Sequence, residues 1–205
     1  MFTELKYDTQ IVQNSHMGHH AIYVFKNVFE EDYLQKVLDR TKELTVKDAL
    51  DHTTNVKANM TSFEKLVDDP VYDKLHSTVL SMLRTCLCLR TPHKIVPING
   101  ISESWAMKHE EGEKTILHSH LGYTWAGSFC IQSDEGASEL VFPDMDFATH
   151  YTKNTLYLWP SSMHHMTTPH KSKNPRYTLA FNIVDSVIFE IVEKEMKKQK
   201  AIESK

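Results

Sequence analysis

The stretch that decides the fold starts as TILHSH at Thr115–His120 and continues in short β-prone segments: AGSFCIQ at Ala126–Gln132, ELVF at Glu139–Phe142, TLYLW at Thr155–Trp159 and YTLAFNIV at Tyr177–Val184. Upstream, Lys94–Ile98 and Ser102–Lys108 have the same character. β-Branched and aromatic side chains suit a pleated surface, and turn-forming residues at His109–Gly112, Ser133–Gly136 and Lys171–Pro175 separate the runs. Seven short strands at this spacing predict an antiparallel sandwich or barrel.

Working outward, Ala21–Phe29 reads as an opening strand. Glu30, Glu31 and Asp32 then place acids at a helix start, and Tyr33, Leu34, Val37, Leu38 and Leu44 carry helical spacing to about Thr45. Residues 46–62 are polar and predict a loop with short strand pieces. A second helix is expected from Asp68-Asp69-Pro70, with the proline in its first turn and an apolar stripe of Val71, Leu75, Val79, Met82, Leu83, Cys86 and Leu87. Cys86 on that stripe is a core residue, with nothing basic spaced to activate it. Ser186–Lys200 predicts a closing amphipathic helix. The expected organisation is one α+β domain over residues 1–205: an N-terminal strand and helical support (1–91), a β core (92–185), and a C-terminal helix and tail (186–205).

Across 205 residues, 23 basic side chains stand against 27 acidic ones, a net charge of −4, which argues against a mainly electrostatic nucleic-acid binder. No apolar run approaches the ~18 residues of a membrane span, and the N-terminus lacks a basic-then-apolar leader layout. Cys86, Cys88 and Cys130 form no CxxC pair and suit a reducing cytoplasm.

The chain holds 13 histidines. On a strand, residues i and i+2 share a face, so His118 and His120 can turn both imidazoles toward one ion. A third ligand must come from elsewhere in the sheet. His164-His165, after the apolar strand 155–159, offers it, with one of the pair facing inward on extended backbone. Tyr123, Trp125, Tyr157 and Trp159 read as core and pocket wall. His109, His150 and His170 fall in loops and are expected at the surface.

Three blocks follow one another: Ser104-Trp105, Gly112 and His118-Ser119-His120; then Pro160-Ser161-Ser162-Met163-His164-His165; then Arg176-Tyr177-Thr178-Leu179-Ala180-Phe181-Asn182. Together they resemble the double-stranded β-helix (jelly-roll, cupin-like) core of the Fe(II)- and 2-oxoglutarate-dependent oxygenases, and more closely the branch found in bacteria and in phages of marine cyanobacteria. The strand-then-helix Ala21–Leu44 is also similar to the opening of the prolyl-hydroxylase-like members. The resemblance selects His165 over His164. It implies iron on His118, His120 and His165, with 2-oxoglutarate held by Arg176 and Thr178. It also implies hydroxylation of an unidentified protein or small-molecule substrate as 2-oxoglutarate and O2 become succinate and CO2, in the cytoplasm of a bacterium or a phage-infected host. A planar guanidinium matches the far carboxylate of that co-substrate bidentately, and Thr178 shares its face.

One position departs from the usual facial triad of two histidines and a carboxylate: His120 stands where most of that superfamily has Asp or Glu. Either three neutral histidines bind the ion or a carboxylate from elsewhere joins, with Asp134, Asp144 and Asp146 as candidates. Two other functions stay open. The first is a cupin-type three-histidine metalloenzyme, a thiol dioxygenase or isomerase. It fits Gly112-x5-His118-x-His120 but lacks the glutamate after that motif, where Thr124 and Trp125 stand. The second is a non-catalytic binding module on the same scaffold.

Overall fold

The computed structural model describes residues 8–13, 21–47, 55–90 and 99–185. The expected strand Lys94–Ile98 and closing helix Ser186–Lys200 lie outside them. The elements, in chain order, are β1 (Asp8–Gln13), β2 (Ala21–Lys26), α1 (Glu31–Lys47), β3 (Val56–Lys57), β4 (Asn59–Met60), α2 (Asp73–Arg90), β5 (Asn99–His109), β6 (Lys114–Thr115), β7 (Trp125–Gln132), β8 (Glu139–Phe142), β9 (Phe147–His150), β10 (Thr155–Pro160), β11 (Met166–Thr167) and β12 (Arg176–Asp185). Neither helix is long and apolar enough to cross a membrane.

A seven-stranded antiparallel sheet runs β1-β2-β10-β7-β12-β5-β4. A three-stranded sheet, β11-β8-β9, and the pair β3-β6 accompany it, and together they make a double-stranded β-helix. The central strands β7, β10 and β12 are buried on both faces almost throughout. Their alternation therefore sorts residues between two interiors. One face of the large sheet carries Phe25, Phe129, Ile131, Leu156, Leu158, Leu179 and Phe181, packed with Leu34, Val37 and Leu38 of α1 and Leu75, Val79 and Leu83 of α2. Each such side chain contributes about 1.5–3 kcal/mol of apolar burial. On β7 and β10 the other face places Ala126, Cys130, Tyr157 and Trp159 with Leu140 and Phe142 of β8. By the same alternation β12 sends Arg176, Thr178, Ala180 and Asn182 to that second interior, so an apolar strand delivers polar groups to the inside of the β-helix.

Three expectations need correction. β6 ends at Thr115, with one more main-chain bond in register from the Ile116 N–H to the Asn55 carbonyl (2.9 Å), and beyond it His118 forms only an isolated bridge, so Thr115–His120 is not one strand. The second helix begins at Asp73. Before it, the Asp69 carboxylate accepts from the Val71 N–H (3.0 Å) and the Asp69 carbonyl from the Tyr72 N–H (2.9 Å), holding Pro70 in a turn. Finally, His109 and His170 are each 1% exposed rather than at the surface. Each has one nitrogen satisfied, His109 Nε2 by Thr115 Oγ1 (3.2 Å) and His170 Nε2 by the Asn174 carbonyl (2.7 Å), while Nδ1 of each is buried with no partner. His150 is exposed, though on β9 rather than in a loop.

Candidate metal centre and its pocket

The segment after β6 reaches the site through main-chain bonds rather than a strand. The His118 N–H donates to the His165 carbonyl (3.1 Å) and the His165 N–H to the His118 carbonyl (2.9 Å), an isolated antiparallel bridge. The His120 N–H bonds the Ser161 carbonyl at 2.8 Å, and Gly122, at φ +102°, turns the chain back toward β7. These bonds bring His118, His120 and His165 together, with one ligand atom from each lying within 4.8 Å of the others.

The ring nitrogens are oriented for ligation. Nδ1 of His118 donates to the Ile116 carbonyl (2.8 Å) and Nδ1 of His165 to the Met163 carbonyl (3.1 Å), so each leaves its Nε2 lone pair free. The His120 and His165 Nε2 atoms are 3.3 Å apart, and their rings stack within 10° of parallel. Burial holds all three below the ordinary histidine pKa. His120 falls to about 4, with the neighbouring His118 as a second cause, and His165 is held well below the ordinary range by burial first and by His118 and His120 after it. At neutral pH the cluster is three uncharged imidazoles. Trp159 packs 4.7 Å from His165, centroid to centroid, and Trp105 lies 6.1 Å from His120.

No carboxylate joins this group among the described residues. Asp144 accepts from the His164 backbone N–H (2.9 Å) and pairs with its Nδ1 (3.0 Å), which holds His164 outward. Asp134 accepts from Ser172 and Asn174, and Asp146 closes a short 3-10 turn in left-handed backbone.

Behind the histidines is a cavity of about 40 Å³, with Ser128, Leu140, Tyr151, Trp159 and Thr167 in its wall. Arg176 is 1% exposed. Its guanidinium lies 4.5 Å from the Tyr151 ring centroid and donates through Nη1 to Ser138 Oγ, while Nε has no partner. No acid pairs with it among the described residues. Burial lowers its pKa, yet a guanidinium keeps its proton at any working pH. Thr178 Oγ1, two residues along β12, is also buried without a partner. A buried cation and a hydroxyl with unused donors on one face fit an anionic group brought by a ligand.

Ser138 and Tyr151 escaped the sequence reading because both lie in stretches with no motif. The β5–β12 register also aligns Glu103 with Asn182 and His109 with Arg176, a juxtaposition that needs strand pairing to be seen.

No family model and no curated protein matches the sequence. Solved structures do match in shape. The non-heme alpha-ketoglutarate-dependent epimerase SnoN from nogalamycin biosynthesis superposes at a TM-score of 0.65 with 9% identity, over 80% of this chain and 77% of that one. A prolyl-4-hydroxylase from Pseudomonas putida gives 0.62 at 9% identity, over 82% and 95%. The viral collagen prolyl hydroxylase of Paramecium bursaria Chlorella virus-1, solved with 2-oxoglutarate, gives 0.59 at 11% identity, over 83% and 98%. The fold is thus the double-stranded β-helix of the 2-oxoglutarate-dependent oxygenases, prolyl-hydroxylase-like members included.

Proposed function

We propose that the protein is an Fe(II)- and 2-oxoglutarate-dependent oxygenase that hydroxylates its substrate, with iron on His118, His120 and His165 and the co-substrate's far carboxylate on Arg176 and Thr178. The observation that carries this is the pairing of three converging neutral imidazoles with a buried guanidinium that has no acid partner, inside one β-helix. Imidazole donors suit iron among the divalent metals, and the unused Arg176 Nε and Thr178 Oγ1 are the atoms a carboxylate would take.

With O2, the bound iron and 2-oxoglutarate would supply the oxidising chemistry, yielding succinate, CO2 and an oxygen atom for a C–H bond. The chain's own part is to bind, orient and keep water out. The Ile116 and Met163 carbonyls fix the tautomers of His118 and His165. Tyr151 and Ser138 hold Arg176 with its Nε left for a carboxylate, and Trp105, Trp159 and Phe142 wall the histidines in apolar surface.

The missing carboxylate favours a second reading, a cupin-type three-histidine metalloenzyme. Anaerobic titration of the Fe(II)-loaded protein with 2-oxoglutarate separates the two. The expected result is a weak visible metal-to-ligand charge-transfer band that Arg176→Ala weakens while iron stays bound. His118→Ala and His165→Ala should lose iron with the fold intact. Iron bound by all three histidines but no band would move the assignment to the cupin-type enzyme. No iron at all would leave a scaffold that binds something else.

A further inference from the structure

Outside the three histidines lies a groove of about 270 Å³ whose polar groups the oxygenase chemistry leaves unused: Glu103, Tyr123 and Asn182, with Phe63 and Trp105, beside His118 and His120. We propose that this groove selects substrates by a cationic nitrogen, an ammonium or guanidinium group, seated on the Glu103 carboxylate and the Asn182 side-chain oxygen. The proposal deepens the oxygenase assignment and rests on it.

The strand register sets the distances. Along β5 and β12, Glu103 faces Asn182, Trp105 faces Ala180, Met107 faces Thr178 and His109 faces Arg176, all on the inner face. A two-residue step along a strand covers about 6.7 Å. Trp105 packs 6.1 Å from His120, so Glu103 sits one step further out than the residue beside the metal centre, and Arg176 lies at the opposite end of the same row.

Glu103 is also aimed. Asn182 Nδ2 donates to Glu103 Oε2 at 2.6 Å, and the Tyr123 hydroxyl bonds the same carboxylate. Burial first, and Glu103 second, push that phenol up to about 12, so it remains a donor. A carboxylate has about four acceptor positions, and two donors leave room for more. No lysine, arginine or histidine pairs with Glu103 among the described residues. Asn182 Oδ1 is buried with no partner, a second acceptor in the groove wall, and Glu64 adds negative potential near Tyr123. Phe63 meets Trp105 edge to face at 5.0 Å, and aromatic walls of this kind favour a cation over a neutral donor. Opposite charges at the two ends would then sort the ligands: the dicarboxylate goes to Arg176 and the cationic substrate to Glu103.

The test is calorimetric titration of the full chain, anaerobic and loaded with Fe(II) and 2-oxoglutarate. The probes are the N-acetyl methylamides of lysine, arginine and norleucine, with free L-lysine to distinguish a peptide side chain from a free amine. A lysine or arginine probe should bind at least about tenfold tighter than norleucine, the worth of one charge-assisted hydrogen bond. Glu103→Gln keeps the shape and the Asn182 contact, and it should erase that preference while its melting temperature and its 2-oxoglutarate affinity stay at wild-type values. Norleucine binding as tightly as the cations, no binding by any cationic probe, or a preference that survives Glu103→Gln would overturn the proposal. Iron and 2-oxoglutarate titrated alone report separately on the oxygenase assignment, so the two failures look different.

Discussion

Replacing Arg176 by methionine should make the ligand-free protein more stable and deaf to 2-oxoglutarate. Arg176 is the largest fully buried side chain among the described residues; it meets Ser138 and the Tyr151 ring, and its Nε is unpaired. A buried ion without a counter-ion carries a desolvation penalty of several kcal/mol. Exchanging buried charges for apolar side chains of similar volume gains on the order of 1–4 kcal/mol. Leaving the Ser138 hydroxyl unpaired returns about 1 kcal/mol of that. For a chain of this length each kcal/mol moves the midpoint by about 2–4 °C, so Arg176→Met should melt several degrees above wild type without ligand. A dicarboxylate at a hundred times its dissociation constant stabilises its binding protein by about 2.7 kcal/mol. Adding 2-oxoglutarate should therefore raise the wild-type midpoint and leave the variant's unchanged. Differential scanning calorimetry with and without 2-oxoglutarate reads both effects. A variant that melts lower than wild type without ligand would show that the guanidinium is structural, and the anion-seat argument would fail.

Other regions offer independent checks. Gly127 lies under Phe181, where an added Cβ would come 2.2 Å from Phe181 Cε2 and 2.7 Å from Leu158 Cδ2, so Gly127→Ala should lower stability by about 1–3 kcal/mol or more in urea unfolding. His76, buried beside Ser104, is held down to about 4 by desolvation. The unfolded chain then binds the extra proton between pH 6.5 and 4, so this residue's contribution is full above 6.5 and is lost as pH falls through that window, at up to about 1.4 kcal/mol per pH unit. His76→Gln should flatten that part of the stability–pH curve, and an unchanged slope would refute the assignment. Of the cysteines, Cys88 is exposed while Cys86 and Cys130 are buried, and burial pushes the Cys130 thiol up to about 12. Maleimide should label one thiol in the native protein and three in denaturant, as counted by mass spectrometry.

What the sequence revealed tracks how local the signal is. The helix over 31–47 and the stripe Leu75–Cys86 were legible because a 3.6-residue period needs no partner. The central strands were legible because burial on both faces leaves unbroken apolar runs. β1, β9 and β11 were not foreseen: TQIVQ, FATH and MT are short or half-polar, and only pairing with β2 and β8 makes them strands. The three histidines could be singled out, but not the means of their meeting, which is a bridge between residues 47 positions apart rather than a strand alternation. Arg176, judged by its turn-side neighbours Asn174 and Pro175, looks like a surface residue. Its burial follows from β12 lying between β5 and β7. His109 and His170 misled for the same reason: pairing of β5 with β12 covers His109, and main-chain bonds to Gly112 and Glu113 hold His170 inside.

The bonds that assemble the three histidines belong to the peptide chain, not to the imidazoles. The reciprocal pair between residues 118 and 165, and the bond from 120 to Ser161, need only a backbone N–H and carbonyl, which every residue but proline supplies. The scaffold therefore behaves as a socket whose key can be recut without moving the lock. His120→Asp would keep its N–H on Ser161 and exchange a neutral donor for an anionic one at the same station. In such a frame the side chain at a station can be exchanged while the backbone stays still, and the all-histidine set is one cutting among several that the same main chain can hold.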